Sequence, residues 1–310
     1  MSMATRALGV SMGLLLDRQF GEPVSAWHPV AWFGTAMTAV ETRTYADSHA
    51  RGSAYALVGV GLGAAAGRIL GTGAAATAAA IAVCVAGREL RSVAAQIETF
   101  VLADDLPGAR AALPSLVGRD PCGLDTSGIC AAVIESVAEN SVDAIVAPVF
   151  WGVLLGAPGT GAYRAINTMD AMVGHRGARY GRFGTAAAVI DDVANYLPAR
   201  IFAVLVALVR CDQASAVARL VVRDARAHPS PNAGVAETAM AAALGRELGG
   251  PLHYGDLRED RPRLGDGPRP SAVDVTRAIE VSRRVERAMT ALLVVGSVRR
   301  LLRPGPRRGR

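Results

Sequence analysis

The chain has 310 residues, 51% of them hydrophobic and only 19% charged, with a net charge of +6 and a mean hydropathy of +0.28. That balance points away from an ordinary soluble enzyme and toward several membrane-embedded segments. The positive charge is carried wholly by arginine; the absence of lysine excludes a P-loop and a pyridoxal phosphate Schiff base, leaving arginines and metal-binding carboxylates to hold any phosphate.

The N-terminal apolar run that follows Arg6 and ends at Leu16 imitates a signal peptide. It leads into Asp17-Arg18 without an A-x-A-like cleavage site, so the segment is expected to be retained. "DRQFGEPVSAWHPVAWFG" then groups Asp17, Arg18, Glu22 and His28, with Pro23 and Pro29 fixing a shaped loop. From Gly52 to Gly87 only Arg68 interrupts an Ala/Gly/Val/Leu run, turned at Gly71-Thr72-Gly73, which predicts two membrane helices over 52–70 and 71–87. Gly59, Gly63 and Gly67 recur every four residues, a spacing that lets a neighbouring helix approach closely.

Beyond Gly87, Leu90, Val93, Ala94, Ile97 and Val101 recur at helical spacing among charged residues, an amphipathic helix outside the bilayer. The four cysteines, Cys84, Cys122, Cys130 and Cys211, show no CxxC pairing and read as core thiols. In "ESVAENSVDAIVAPVFW", Glu135, Glu139 and Asp143 lie one turn apart on one helix face, flanked by Ser136 and Asn140. Like charges at this spacing repel, and a bound cation would turn repulsion into attraction. Hard-oxygen ligands of this kind suit Mg²⁺ held jointly with a phosphate.

A third apolar run, 144–163, is broken by Pro148, Pro158 and glycines; a fourth spans 193–209 with Arg200 inside it; a last one, 288–298, is shorter than a bilayer crossing unless flanking residues join it. Between the third and fourth runs, Asn167 pairs with Asp170 and Asp192 with Asn195 at one-turn spacing, Asp191 is adjacent, and Arg176, Arg179, Arg182 and Arg200 supply charge for phosphate oxygens. Polar residues this dense between apolar spans are costly unless they line a site. "HPSPNAGVAETAMAAALG" sets His228, Ser230 and Asn232 on a proline-stiffened turn ahead of the helix carrying Glu237, where Asn232 or a neighbour is expected to cap. A flexible loop is expected at about 256–272 and a basic tail at 299–310, which the positive-inside rule places in the cytoplasm. The tail lacks the interleaved aromatics of a nucleic-acid site, and no nucleic-acid partner is expected.

Taken in order, these four polar stretches resemble the adenosylcobinamide-phosphate synthase family of cobalamin biosynthesis, also called CobD/CbiB. The resemblance implies an all-α, multi-pass protein of the cell membrane, a single domain over 1–310 with polar helices and loops at the membrane surface. It implies ATP-dependent amide formation between a propionate carboxylate of adenosylcobyric acid and (R)-1-amino-2-propanol O-2-phosphate, with Mg²⁺ and ATP required. Partners would be the corrinoid, the aminopropanol phosphate, membrane lipid and other corrinoid-pathway enzymes. On this reading Glu135, Glu139, Asp143, Asp191 and Asp192 hold Mg²⁺, and the first of these with Asp191 and Asp192 act in catalysis. Arg18, Arg176 and Arg200 bind phosphate, helped by Asn140, Asn167, Asp170, Asn195, Ser230, Asn232 and Glu237, and His28 or His228 deprotonates the ammonium. The clusters around Glu135 and Asp191-Asp192 are expected to converge on one metal and phosphate site.

Two positions depart from the family pattern: Glu22 stands where Asp is expected, and Gly174-His175-Arg176 stands where Gly-Tyr-Lys is expected. An Mg²⁺-dependent prenyl or CDP-alcohol transferase also uses acidic helix ends between spans, but its paired DxxxD motifs are missing. A corrinoid transporter component would also carry charges among broken spans, but no inverted repeat is visible.

Overall fold

The computed structural model describes residues 1–21, 28–118, 121–175, 177, 179–254 and 257–301. Arg176, Glu22 and positions 302–310 of the basic tail lie outside the described residues. The described chain is helical with one two-stranded antiparallel hairpin, and it forms two compact units. The first comprises Met1–Val85, Pro148–Asp191 and the chain from Arg287 onward; the second comprises Ala86–Ala147 and Asp192–Glu286.

The first unit is built from α1 (Met3–Phe20), α2 (Pro29–Thr44), α3 (His49–Leu70), α4 (Ala74–Cys84) and segments further along the chain. His28 caps α2, its Nδ1 accepting the Val30 N–H at 3.2 Å. Glycines bring helices into backbone contact. A Cβ on Gly9 of α1 would lie 2.4 Å from the Ala74 carbonyl oxygen of α4. Gly59, Gly63 and Gly67, the glycines read as an approach face, are buried, and a Cβ on Gly63 would lie 2.4 Å from the Gly161 carbonyl oxygen. Met37, Tyr55, Met169, Val173, Phe183 and Ala187 close a second part of this core.

The expected span 52–70 lies within α3. The expected span 71–87 becomes the eleven-residue α4, which rises about 16 Å against a hydrocarbon core of about 30 Å. The run 144–163 is not one helix. A π turn at Val142–Val146 leads into α8 (Ala147–Leu155), and Gly156, at φ 72°, ends it before Pro158 starts α9 (Ala157–Met169). The run 193–209 ends α10 (Thr185–Val209), and the run 288–298 lies in α13 (Ala272–Leu301). Among the described residues, α3 and α10 are the helices long and apolar enough to cross a membrane. Both present bare apolar side chains: Leu57 and Ile69 are 69% and 85% exposed on α3, Val193 and Leu208 71% and 60% on α10.

The second unit packs α5 (Gly87–Leu102), α6 (Leu106–Ala112), α7 (Thr126–Ser141), α11 (Ala214–Asp224), α12 (Ala233–Leu244) and the hairpin of β1 (Leu248–Tyr254) and β2 (Leu257–Leu264). Leu90, Ala94 and Ile97, the predicted amphipathic face of α5, are buried. Polar pairs stitch this interior: Arg91 meets Glu286 at 2.6 Å, Ser141 meets Ser282 at 2.8 Å, and Arg246 meets Asp274 at 2.9 Å. Where a flexible loop was expected at about 256–272, residues 257–264 form β2 instead. Gly249 and Gly250, at φ 73° and 96°, let β1 bend into register, with Leu248 opposite Leu264 and Gly249 opposite Arg263.

Candidate functional site

In the second unit the turn before α12 is built on side chain to backbone hydrogen bonds. His228 Nδ1 accepts the Ser230 N–H at 3.0 Å, and Ser230 Oγ accepts the N–H groups of Asn232 and Ala233 at 3.3 and 3.2 Å. The expected cap is therefore supplied by Ser230, not by the Asn232 side chain. Asn232 is freed for a longer reach. Its Nδ2 donates to the Asp192 carbonyl oxygen at 2.8 Å and approaches Asp192 Oδ1 at 3.4 Å. Its Oδ1 accepts from Arg200 Nη1 at 2.8 Å.

Arg200 also donates through Nη2 to the Pro231 carbonyl oxygen at 3.0 Å and stacks on the Tyr196 ring at 3.7 Å. Among the described residues its acceptors are neutral oxygens, and the guanidinium is held from three sides. Asn195, 2% exposed, lies one turn from both Asp191 and Asp192 on α10. The structure thus brings Asp192, Arg200, Ser230 and Asn232 together, joining two motifs that lie 32 to 40 residues apart.

The carboxylate stack on α7 is graded in burial. Glu135 is 3% exposed and its Oε1 accepts the Gly249 N–H at 2.8 Å, so it anchors β1. Glu139 is exposed, and Asp143 is half-buried inside the π turn, which ends the straight stack. A pocket of about 190 Å³ opens along this face, lined by Glu135, Ser136, Glu139, Asn140, Arg261 and the chain at Leu116–Gly118. Asn140 Nδ2 donates to Ser136 Oγ at 3.0 Å, and that hydroxyl donates to the Leu116 carbonyl oxygen at 2.9 Å.

The five carboxylates expected to hold Mg²⁺ are divided between the two units, Asp191 in the first and Glu135, Glu139, Asp143 and Asp192 in the second. Among the described residues no three His, Cys, Asp or Glu side chains come together in a set that could hold an ion. Glu135 is taken by the Gly249 N–H, and Asp192 lies beside Asn232. His28 and His228 are each engaged through Nδ1. Accepting a backbone N–H at Nδ1 leaves the proton of a neutral imidazole on Nε2. His228 then points Nε2 at buried Glu237 Oε2, 3.8 Å away, and His28 is tied in the same way to the start of α2. Both rings are held in place by the backbone N–H groups that Nδ1 accepts.

The remaining candidates lie in the first unit. Arg18 and Asp170 are half-buried, Asp191 closes this unit's share of α10, and Asn167 Oδ1 accepts from Arg164 Nη1 at 3.2 Å. The sequence reading passed over Glu41, which is buried and accepts from the Tyr180 hydroxyl at 2.9 Å and from Arg179 Nη2 at 3.0 Å. That contact, with the side-chain hydrogen bond first among its causes, raises the Arg179 pKa.

A helical protein with long apolar helices and a site centred on an asparagine, an arginine and a carboxylate is the class these features define. The family model described as "CobD/Cbib protein" matches residues 10–282. The chain is 45% identical over 305 residues to "Cobalamin biosynthesis protein CobD" of Mycobacterium tuberculosis strain H37Rv, covering 96% of this chain and 97% of that protein. It is 47% identical over 215 residues to the protein of that name in Rhodobacter capsulatus, covering 69% and 68%, and 38% identical over 322 residues to the one in Brucella suis, covering 96% and 98%. No solved structure matches. The chain belongs to the CobD/CbiB family.

Proposed function

We propose that this protein acts in cobalamin biosynthesis as an adenosylcobinamide-phosphate synthase, joining the propionate of adenosylcobyric acid to (R)-1-amino-2-propanol O-2-phosphate. The observation that carries the reading is the fixed Arg200 guanidinium, charged but without a carboxylate partner among the described residues, held by Asn232 next to Asp192. Such a group suits a phosphate, which both aminopropanol phosphate and ATP carry.

A free carboxylate does not form an amide without activation. In the proposed reaction a carboxylate oxygen attacks the γ-phosphorus of ATP, giving an acyl phosphate and ADP; the amine then attacks the acyl carbon and inorganic phosphate leaves. Before that attack the ammonium must lose a proton. We assign its acceptance to Asp192, whose carboxylate lies beside Asn232. Mg²⁺ is characteristically bound by one or two carboxylates together with substrate phosphates. Glu139 with Glu135 along one pocket fits an ion arriving with ATP, although the residues do not form a closed metal cage. Bound there, it would offset negative charge on the phosphate oxygens.

The exposed apolar faces of α3 and α10 support a membrane location, read here as multi-pass with a cytoplasmic tail. The test is incubation of the purified, detergent-solubilised protein with adenosylcobyric acid, aminopropanol phosphate, ATP and Mg²⁺. A corrinoid of the amide's mass, formed only when all four are present, supports the proposal; unchanged corrinoid rejects it.

A further inference from the structure

An apolar groove of about 240 Å³ runs among α2, α3, α4 and α9 in the first unit. Phe33, Leu70, Ala80 and Val83 form its walls, and Gly63 and Gly67 sit where α3 meets α9. Among the described residues one cationic side chain, that of Arg164, lines it. Arg164 Nη1 donates to Asn167 Oδ1 at 3.2 Å, while its Nε is buried without an acceptor. No carboxylate pairs with it among the described residues.

A guanidinium stays charged under all ordinary conditions and offers five donors. Against an apolar wall, a cation with one neutral acceptor is costly unless an anion completes it. The ligand that removes this cost carries negative charge at one end and hydrocarbon at the other. A free phosphate would satisfy the arginine but lose its hydration against the walls. A phospholipid satisfies both, since its phosphate takes a bidentate contact while an acyl chain covers Phe33 and Val83. The same α3 that supplies Gly63, Gly67 and Leu70 exposes Leu57, Leu62 and Ile69 to the surroundings, which places a hydrocarbon-compatible surface beside the groove.

We propose that this groove is a binding site for an anionic phospholipid, with the headgroup phosphate on Arg164. The inference goes beyond amide formation and does not depend on it.

The test is native mass spectrometry of the full chain, delipidated in neutral detergent and supplied with phosphatidylglycerol or phosphatidylcholine of matched acyl chains. The wild type should retain phosphatidylglycerol about tenfold more strongly, the size of one charge-assisted contact. Arg164→Gln should abolish that preference and Arg164→Lys should keep part of it. Arg51→Gln, an exposed arginine outside the groove, should leave it intact. Should Arg164→Gln fail to fold, Val83→Trp fills the groove with the arginine in place and should lower phosphatidylglycerol retention. The proposal is overturned by equal retention of the two lipids, by an undiminished preference in Arg164→Gln or full retention in Val83→Trp, or by an equal loss in Arg51→Gln. Displacement of the lipid by millimolar inorganic phosphate would likewise overturn it in favour of a soluble anion.

Discussion

Asn232 accepts from Arg200 at 2.8 Å through its amide oxygen and donates to the main-chain oxygen of Asp192 at 2.8 Å through its amide nitrogen. A single planar group thus holds a cation and an acidic residue in register, which neither Asp nor Leu at this position would do. Asn232→Asp replaces the donor with a second acceptor and sets a negative charge against the Asp192 main-chain oxygen. Activity should fall at least tenfold, and thermal unfolding should report a loss of about 1–3 kcal/mol for the buried groups left unpaired.

Glu135 and Glu139, one turn apart, should separate in their effects. Glu135→Ala removes the acceptor of the Gly249 N–H and should destabilise the protein by about 1–3 kcal/mol, whereas Glu135→Gln retains an acceptor oxygen and should recover most of that loss. Glu139→Gln should leave stability within about 0.5 kcal/mol, as for an exposed position, but raise the Mg²⁺ concentration needed for half-maximal turnover. Unfolding curves and an Mg²⁺ titration of each variant check the separation.

The contact between α3 and α9 depends on hydrogen in place of Cβ. Gly63→Ala would press a methyl against the Gly161 carbonyl oxygen, 2.4 Å from the ideal Cβ position, and should cost about 1–3 kcal/mol. Gly61, two residues away, has nothing within 4 Å of its Cβ position, so Gly61→Ala should instead stabilise the helix by about 0.5–1 kcal/mol. Opposite shifts in thermal midpoint would confirm the packing.

Asp274 supplies a pH dependence outside the apolar helices. Burial pushes its pKa up, but hydrogen bonds from the Ser271 backbone and from Arg246 outweigh it and hold the carboxyl below its ordinary value. A depressed carboxylate pKa gives stability that is fully present above the unfolded value, about 3.9, and is lost as pH falls through the folded one. Asp274→Asn should therefore be less stable than the wild type at neutral pH, by a gap that narrows as pH falls below about 4, as denaturant unfolding across that range would show.

Helical class, the glycine face of α3 and the break near Pro158 were legible because periodicity and backbone-limited residues act locally. The end of α4 was not, since Val85 and Ala86 continue the apolar run without a stop signal. The strand β2 was hidden because "REDRPRLGDGPRP" has a loop's composition, and its conformation comes from pairing with a distant strand. Each polar motif was visible by itself. That Asn232 bridges Asp192 and Arg200, while Glu135 turns to Gly249, depends on tertiary contacts between segments 32 to 114 residues apart, which spacing along one helix does not encode.

The most direct test of the account is the amide-forming turnover of Arg200→Gln and Asp192→Asn beside the wild type, with adenosylcobyric acid, aminopropanol phosphate, ATP and Mg²⁺ all supplied. Both variants should unfold as cooperatively as the wild type and lose at least about a hundredfold in kcat/KM, the scale on which a phosphate-binding cation or a general base contributes. Full activity in both variants would contradict the assignment of this site.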